Sequence, residues 1–564
     1  MIETKTCTIK EYRVPMRDGA QLYTRVFLPA GEGPWPTVVI RDPYGKANPA
    51  MATAAEEFSS HGYAVVLQHV RGTAGSEGEW VPHKNERQDG VDALHWVAAQ
   101  PWTNGNIGTF GFSYRGYVQL AIADQLPAEV KTMVIGNFGL DRYKQMYQDG
   151  MFRIDLITSW AVRNCGINPE AMGELYKKAL GVRPHINMDK ELYGVELPWY
   201  REMISNVNRT DEFWNEGIWP ELLTVPPKVN IPLLLLGGWF DYYLPMMIEN
   251  YQQLPEKTRA SSRFQILPVA HNFSMPGDLA PFPNSGLTGR VPEELELVNF
   301  ALEWFDYQLK GHPYNRAVGG LDAYVIGAGE WEQLETWPPK TDAKRLYLAV
   351  ETRDGYKGGA LSAQAGEPTG AVSFTYDPDD PFPAKGADTV FAYLQPLYAD
   401  YSPTAGPVQQ DQPGSRADVL TFLSEPFPAA TLIAGNIKVR LDVASDAEDT
   451  AFTAKIIEVR ADGTSYNIRN SITSLAYRNG ALTSQAYQAG TVVNIGLELR
   501  PITWKLQAHS RLRLDISSAN FPEYNVHSNT TGLWAEQSTT KIARQTIYCG
   551  GAHESYIEVP VRRD

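Results

Sequence analysis

Through the first third of the chain, short aliphatic runs alternate with helical patterns. Thr37-Val38-Val39-Ile40 and Ala64-Val65-Val66-Leu67 are continuous apolar runs, as expected of strands buried on both faces, and Val91, Leu94 and Val97 then recur at helical spacing. Ahead of them, Tyr12-Arg13-Val14-Pro15 and Gln21-Leu22-Tyr23-Thr24-Arg25-Val26 flank Asp18-Gly19, which predicts an antiparallel hairpin. Further strands are predicted at Thr132 to Ile135, Leu233 to Leu236 and Phe264 to Leu267, and an amphipathic helix carries Leu295, Leu302, Phe305 and Leu309. This is an α/β layout with a mainly parallel sheet.

The β pattern stops between Asp141 and Val229, where aromatics and helix formers dominate, including Tyr143, Tyr147, Trp160, Trp199 and Trp214. The segment reads as a helical insertion. Past the Gly311 to Gly320 connector the period changes to two, most clearly in Ile437 to Val443 and Leu512 to Ile516, with turn signals such as Asp462-Gly463. The expected organisation is an α/β core over 1–140 and 230–315, a helical insertion over 141–229, and a C-terminal β-sandwich of jelly-roll type over 316–564.

A length of 564 residues, 43% hydrophobic and 20% charged, fits several packed domains. The formal net charge of −15 supplies no basic patch for nucleic acid and disfavours anionic membranes and polyanionic substrates. Three cysteines (Cys7, Cys165, Cys549) lack CxxC spacing, so neither a disulfide framework nor a zinc site is indicated, and no cofactor is expected. No apolar leader opens the chain, and its strongest apolar run, Ile231 to Phe240, is about half a membrane span. A cytoplasmic protein is expected.

The candidate chemistry begins at Gly111-Phe112-Ser113-Tyr114-Arg115-Gly116, between a predicted strand and a predicted helix. A serine there sits in a nucleophile elbow, although glycine comes one place later than in G-x-S-x-G. Serine needs a histidine as base and a carboxylate to orient it. Asp241 follows the strand Leu233 to Leu236, His271 follows Phe264 to Leu267, and the chain order Ser113, Asp241, His271 is that of an α/β-hydrolase. Oxyanion donors are expected from the Tyr114 N–H and from the loop Arg41 to Lys46, which offers the Tyr44 hydroxyl.

These residues resemble the cocaine esterase-like hydrolases, the CocE/NonD family, which are related to X-prolyl dipeptidyl aminopeptidases. The resemblance rests on Pro43-Tyr44-Gly45, on Val70-Arg71-Gly72 with Gly75-Ser76-Glu77-Gly78, on the serine turn itself, and on Gly238-Trp239-Phe240-Asp241. It continues more loosely through Glu330-Trp331, Asp449 to Lys455 and Asp515 to Pro522, all assigned to the sandwich. In that family the late glycine is the normal form of the elbow. The resemblance implies Tyr44 as side-chain oxyanion donor, and makes the three parts an α/β-hydrolase core, a helical cap and a C-terminal jelly roll. Two departures stand out: His69 occupies a place where relatives often carry aspartate, and Pro268-Val269-Ala270 replaces the usual Gly-Pro-Trp region.

The expected activity is hydrolysis of small-molecule esters through an acyl-enzyme, with Trp160 and Tyr243 lining an apolar acyl pocket. Relatives acting on α-amino acid esters carry an acidic pair just after the catalytic aspartate, where this chain has Tyr243 and Leu244. Asp149, with Glu170 and Glu174, keeps amine recognition open, and with it an X-prolyl dipeptidyl peptidase or amide-cleaving acylase. A reading of another class is a non-catalytic binding protein on a hydrolase scaffold, against which the intact Ser113, Asp241 and His271 set argues. The sandwich is expected to cover the site's mouth and contribute an interface, a homodimer being one outcome.

Overall fold

The computed structural model describes residues 2–3, 7–44, 50–164, 172–271, 273, 282–287, 293–353, 355–366, 369–386, 388 and 405–562. Eleven strands form the first sheet, which is parallel from Ala64–His69 through Leu321–Val325 and antiparallel at both ends. Its central strands, Trp35–Asp42, Thr103–Phe112, Val130–Gly136, Leu233–Phe240 and Arg263–Ala270, have inner segments buried on both faces. That burial explains why their sequences read as apolar runs rather than alternating patterns. The helices Ala50–Ser60 and Glu293–Lys310 cover one face, and Glu86–Ala98 with Tyr114–Leu120 the other. The predicted hairpin forms with Pro15 opposite Gln21.

Among the described residues between Arg142 and Leu223 the regular elements are helices, apart from a two-residue-per-strand hairpin at Tyr147–Gln148 and Met151–Phe152, as the insertion requires. The C-terminal part contributes thirteen strands to a second sheet system, with antiparallel pairs such as Ala451–Val459 against Ser465–Ser474 across the Asp462-Gly463 turn. The architecture is an α/β-hydrolase core, a helical cap and a C-terminal β-sandwich. Among the described residues no helix is long and apolar enough to cross a membrane. Cys7 and Cys549 are buried, and the side chain of Cys165 lies outside the described residues.

One boundary differs from the sequence reading. Leu321–Val325 pairs in parallel with the strand Arg263–Ala270 that precedes His271, Phe264 opposite Leu321, and Glu330–Leu334 pairs onto it in turn. The first sheet therefore runs to Leu334 rather than closing near 315, and Glu330-Trp331 belongs to its edge. A period of two identifies a half-buried strand but not the sheet that it joins.

The sandwich is fastened to the core behind the strand Leu233–Phe240. Arg469, fully buried, donates to the Trp239 carbonyl, lies over the Phe240 ring at 5.1 Å and pairs with Asp388 at 3.2 Å. Beside it, Arg153 of the cap pairs with Asp155 at 3.1 Å and with Glu523 of the sandwich at 3.4 Å, its guanidinium 4.8 Å from the Tyr242 ring. Cap, core and sandwich thus meet in a buried ionic cluster flanking Asp241.

Candidate active site

The strand Thr103–Phe112 ends immediately before Ser113, and the helix Tyr114–Leu120 begins immediately after it. Ser113 turns the chain with φ 57° and ψ −131°, a conformation that costs a non-glycine residue about 1–3 kcal/mol and is held by its surroundings. Its N–H donates to the Gly136 carbonyl at 3.0 Å, anchoring the turn to the neighbouring strand. Gly111 is required because a Cβ there would lie 2.5 Å from that of Arg115, which folds back over it.

Asp241 and His271 are brought together by strand register. Phe240 is paired with Ala270 across a parallel ladder, so the next residue of each strand leaves the sheet at the same edge. Gly238 permits this approach, since a Cβ would meet the Val269 carbonyl oxygen at 2.4 Å. Asp241, 1% exposed, accepts the Tyr243 N–H at 2.8 Å on one oxygen and faces His271 Nδ1 at 3.0 Å with the other. An ionised carboxylate only accepts, so Nδ1 carries the proton and Nε2 is left to accept. His271 Nε2 stands 2.9 Å from Ser113 Oγ. Behind the ring, Asn137 Nδ2 donates to the His271 carbonyl at 2.7 Å, a brace from the end of the strand Val130–Gly136 that sequence reading missed. Its signal was Asn137 itself, a residue tolerant of the φ of 46° adopted there.

On the opposite side of Ser113, the Tyr44 hydroxyl lies 3.5 Å from Oγ. Arg115, occupying the place where the general elbow has glycine, is 2% exposed and stacks its guanidinium 4.8 Å from the Tyr44 ring centroid. Its Nε donates to Asp42 Oδ1 at 2.7 Å, and the same carboxylate oxygen faces the Tyr44 N–H at 3.4 Å. Arg115 and Asp42 thereby fix the loop that carries Tyr44. His69, the unusual residue before Val70-Arg71-Gly72, is buried with Nδ1 3.6 Å from the other Asp42 oxygen. The Tyr114 N–H opens its helix, and no described residue accepts it, leaving it available beside Ser113. The Tyr114 hydroxyl donates to Glu86 and accepts from the His83 N–H at 2.7 Å. Burial pushes Glu86 up to about 7 and holds His83 well below the ordinary imidazole range.

A pocket of about 100 Å³ opens onto Ser113 and His271. Phe138, Leu156, Ile157, Trp160, Tyr242 and Tyr243 form its apolar wall, and His83, Arg142 and Ser159 its polar part. Trp160 stacks on Tyr114 at 5.8 Å, while Tyr243 packs on Phe138 at 4.7 Å and on His271 at 5.4 Å. The Tyr243 hydroxyl is pushed up to about 12 by burial and stays protonated. Asp149 does not line this pocket. Its tight turn, with φ 45°, points it at the sandwich: its carbonyl accepts from the Ser474 N–H at 3.2 Å and hydroxyl at 2.9 Å, and desolvation pushes its carboxyl up to about 6. Glu174 is exposed, and Glu170 lies outside the described residues.

Residues 18–272 match the X-Pro dipeptidyl-peptidase (S15 family), and residues 314–558 the X-Pro dipeptidyl-peptidase C-terminal non-catalytic domain. The chain is 28% identical to cocaine esterase from Rhodococcus sp. over 592 residues, covering 100% of both. It is 30% identical to a Mycobacterium bovis protein named "Putative serine esterase Mb1866c", covering 97% of this chain and 94% of that one. In fold it is similar to an α-amino acid ester hydrolase (TM-score 0.80, 22% identity, 100% of this chain and 98% of that one). It is equally similar to an aminopeptidase from a marine sediment Thaumarchaeota archaeon (TM-score 0.80, 20% identity, the same coverage). The chain belongs to the cocaine esterase-like (CocE/NonD) family of serine hydrolases, related to the X-Pro dipeptidyl-peptidases.

Proposed function

We propose that this protein hydrolyses carboxylic esters of small molecules, with Ser113 as nucleophile, His271 as general base and acid, and Asp241 as the group that orients the imidazole. The observation carrying this reading is the continuous hydrogen-bonded line from Ser113 Oγ through His271 Nε2 (2.9 Å) and Nδ1 to Asp241 Oδ2 (3.0 Å). As Ser113 attacks the carbonyl, its proton passes to Nε2, and the resulting imidazolium is stabilised by the buried Asp241 carboxylate. The Tyr44 hydroxyl and the Tyr114 N–H donate to the oxyanion. Collapse of the tetrahedral intermediate expels the alcohol, which takes the proton from His271. Water deprotonated at Nε2 then cleaves the acyl-enzyme.

The wall of Phe138, Leu156, Ile157, Trp160, Tyr242 and Tyr243 favours an apolar stem on the acyl group. Among the described lining residues there is no carboxylate to bind a free α-amine, which favours ester over dipeptide substrates. The test compares wild type and Ser113→Ala on p-nitrophenyl acyl esters and on an Ala-Pro anilide, alongside fluorophosphonate labelling. Ester turnover should exceed anilide turnover, and the variant should lose label and at least about 10⁴-fold in rate. A fully active Ser113→Ala would refute the mechanism, and preference for the anilide would refute the substrate class.

A further inference from the structure

Arg142 is a buried cation inside the pocket with no anion beside it among the described residues. It opens the helix Arg142–Met146 at the entry to the cap, is 5% exposed, and lines the same cavity as Ser113 and His271. Its Nη1 donates to the Gln145 amide oxygen at 2.5 Å, its Nη2 faces only the Met203 sulfur at 3.8 Å, and its Nε has no acceptor. No carboxylate among the described residues lies within salt-bridge distance of it, and the adjacent Asp141 is taken by the Lys144 N–H and by Arg209 at 3.3 Å. A guanidinium does not escape burial by losing its proton, so an unpaired one is costly unless something else supplies the negative charge.

The cavity wall around it fits that role. His83 is buried with both ring nitrogens unpartnered, and desolvation keeps the ring neutral, so it holds one N–H donor and no competing charge. No acid among the described lining residues would repel an anion. We infer that the site takes an ester carrying a carboxylate, with Arg142 as the anion anchor and His83 as a neutral donor beside it. The small cavity limits the spacer to a few carbons, so the class is the half-ester of a short dicarboxylic acid or an ester whose alcohol bears a carboxylate. This inference rests on the ester-hydrolase reading, and its sign is opposite to amine recognition.

The experiment measures kcat/KM for monoethyl succinate against ethyl pentanoate, and for the butanoyl ester of glycolate against ethyl butanoate. The first pair places the anion on the acyl side and the second on the alcohol side. Wild type should favour the anionic member of one pair at least tenfold; Arg142→Met should lower that ratio at least tenfold, and Arg142→Lys should restore part of it. Equal rates for both members of both pairs, or a ratio that survives Arg142→Met, would overturn the inference. Should Arg142→Met fail to fold, inhibition of wild type by succinate and by succinamide decides: succinate should bind at least tenfold more tightly, and equal binding overturns the proposal. If wild type cleaves none of these esters and takes no fluorophosphonate label, the hydrolase reading falls separately. Calorimetric binding of succinate to Ser113→Ala then still tests Arg142.

Discussion

Arg153 and Arg142 are both buried arginines of the cap near the tyrosine pair Tyr242-Tyr243, and their surroundings differ in kind. Arg153 lies over the Tyr242 ring with Asp155 and Glu523 as partners, and these neighbours hold its guanidinium well above its ordinary range despite burial. Arg142 shares the pocket with Tyr242 and Tyr243 and has no carboxylate among the described residues, so desolvation depresses it. A charge compensated from within the fold serves assembly; an uncompensated one facing a cavity is set up to be compensated from outside.

The comparison is broken most directly by removing each charge. Arg153→Met leaves Asp155 and Glu523 buried without their shared cation, and unfolding should become easier by about 3–5 kcal/mol, read from urea midpoints at constant m. Arg142→Met strands no carboxylate, so its midpoint should move by less than about 1 kcal/mol. Similar losses in the two variants would erase the distinction.

On the pocket side, Tyr44→Phe should lower kcat by about 10² to 10³, or about 3–4 kcal/mol in the barrier, because the proposed mechanism uses the hydroxyl only as the oxyanion forms. A rise in KM with kcat preserved would make Tyr44 a binding residue instead. Its thermal unfolding should match wild type.

A smaller effect comes from Glu86, another buried group on the pocket side that lacks full compensation. Its folded value of about 7 lies above the ordinary 4.5, so the native state binds the proton more tightly than the unfolded state. Stability should therefore fall as pH rises from about 4.5 to about 7, by up to about 3 kcal/mol, and stay level above that. Glu86→Gln should flatten this slope. A slope unchanged in the variant would assign it to other groups.

Much of this was legible in the sequence because it depends on local pattern. Ser113, Asp241 and His271 each follow a segment that reads as a buried strand, most clearly Leu233 to Leu236 before Asp241, and the end of a parallel strand is where a side chain leaves the sheet. The elbow's late glycine was legible too, yet its cause was not: Arg115 replaces glycine because its guanidinium lies under Tyr44, a contact between residues far apart in the chain. Asp149 illustrates the opposite error. An acid in an aromatic segment suggested a ligand, whereas its backbone turns it toward Ser474 of the sandwich. Arg142 went unnoticed because an arginine beside Asp141 in sequence looks paired, and only tertiary structure assigns that aspartate to Arg209. Likewise, Leu321–Val325 reads as a strand whichever sheet takes it.

The hold of Arg469 on the Trp239 carbonyl has a consequence for how the protein comes into being. When a ribosome has released residue 400, Ser113, Asp241 and His271 have all been made, but Arg469 and Glu523 have not. The strand that ends in Asp241 then still lacks the clamp that presses on it from behind. A shortened chain ending at Leu334 would keep Ser113, Asp241 and His271 while losing Arg469, which grips the strand leading to one of them.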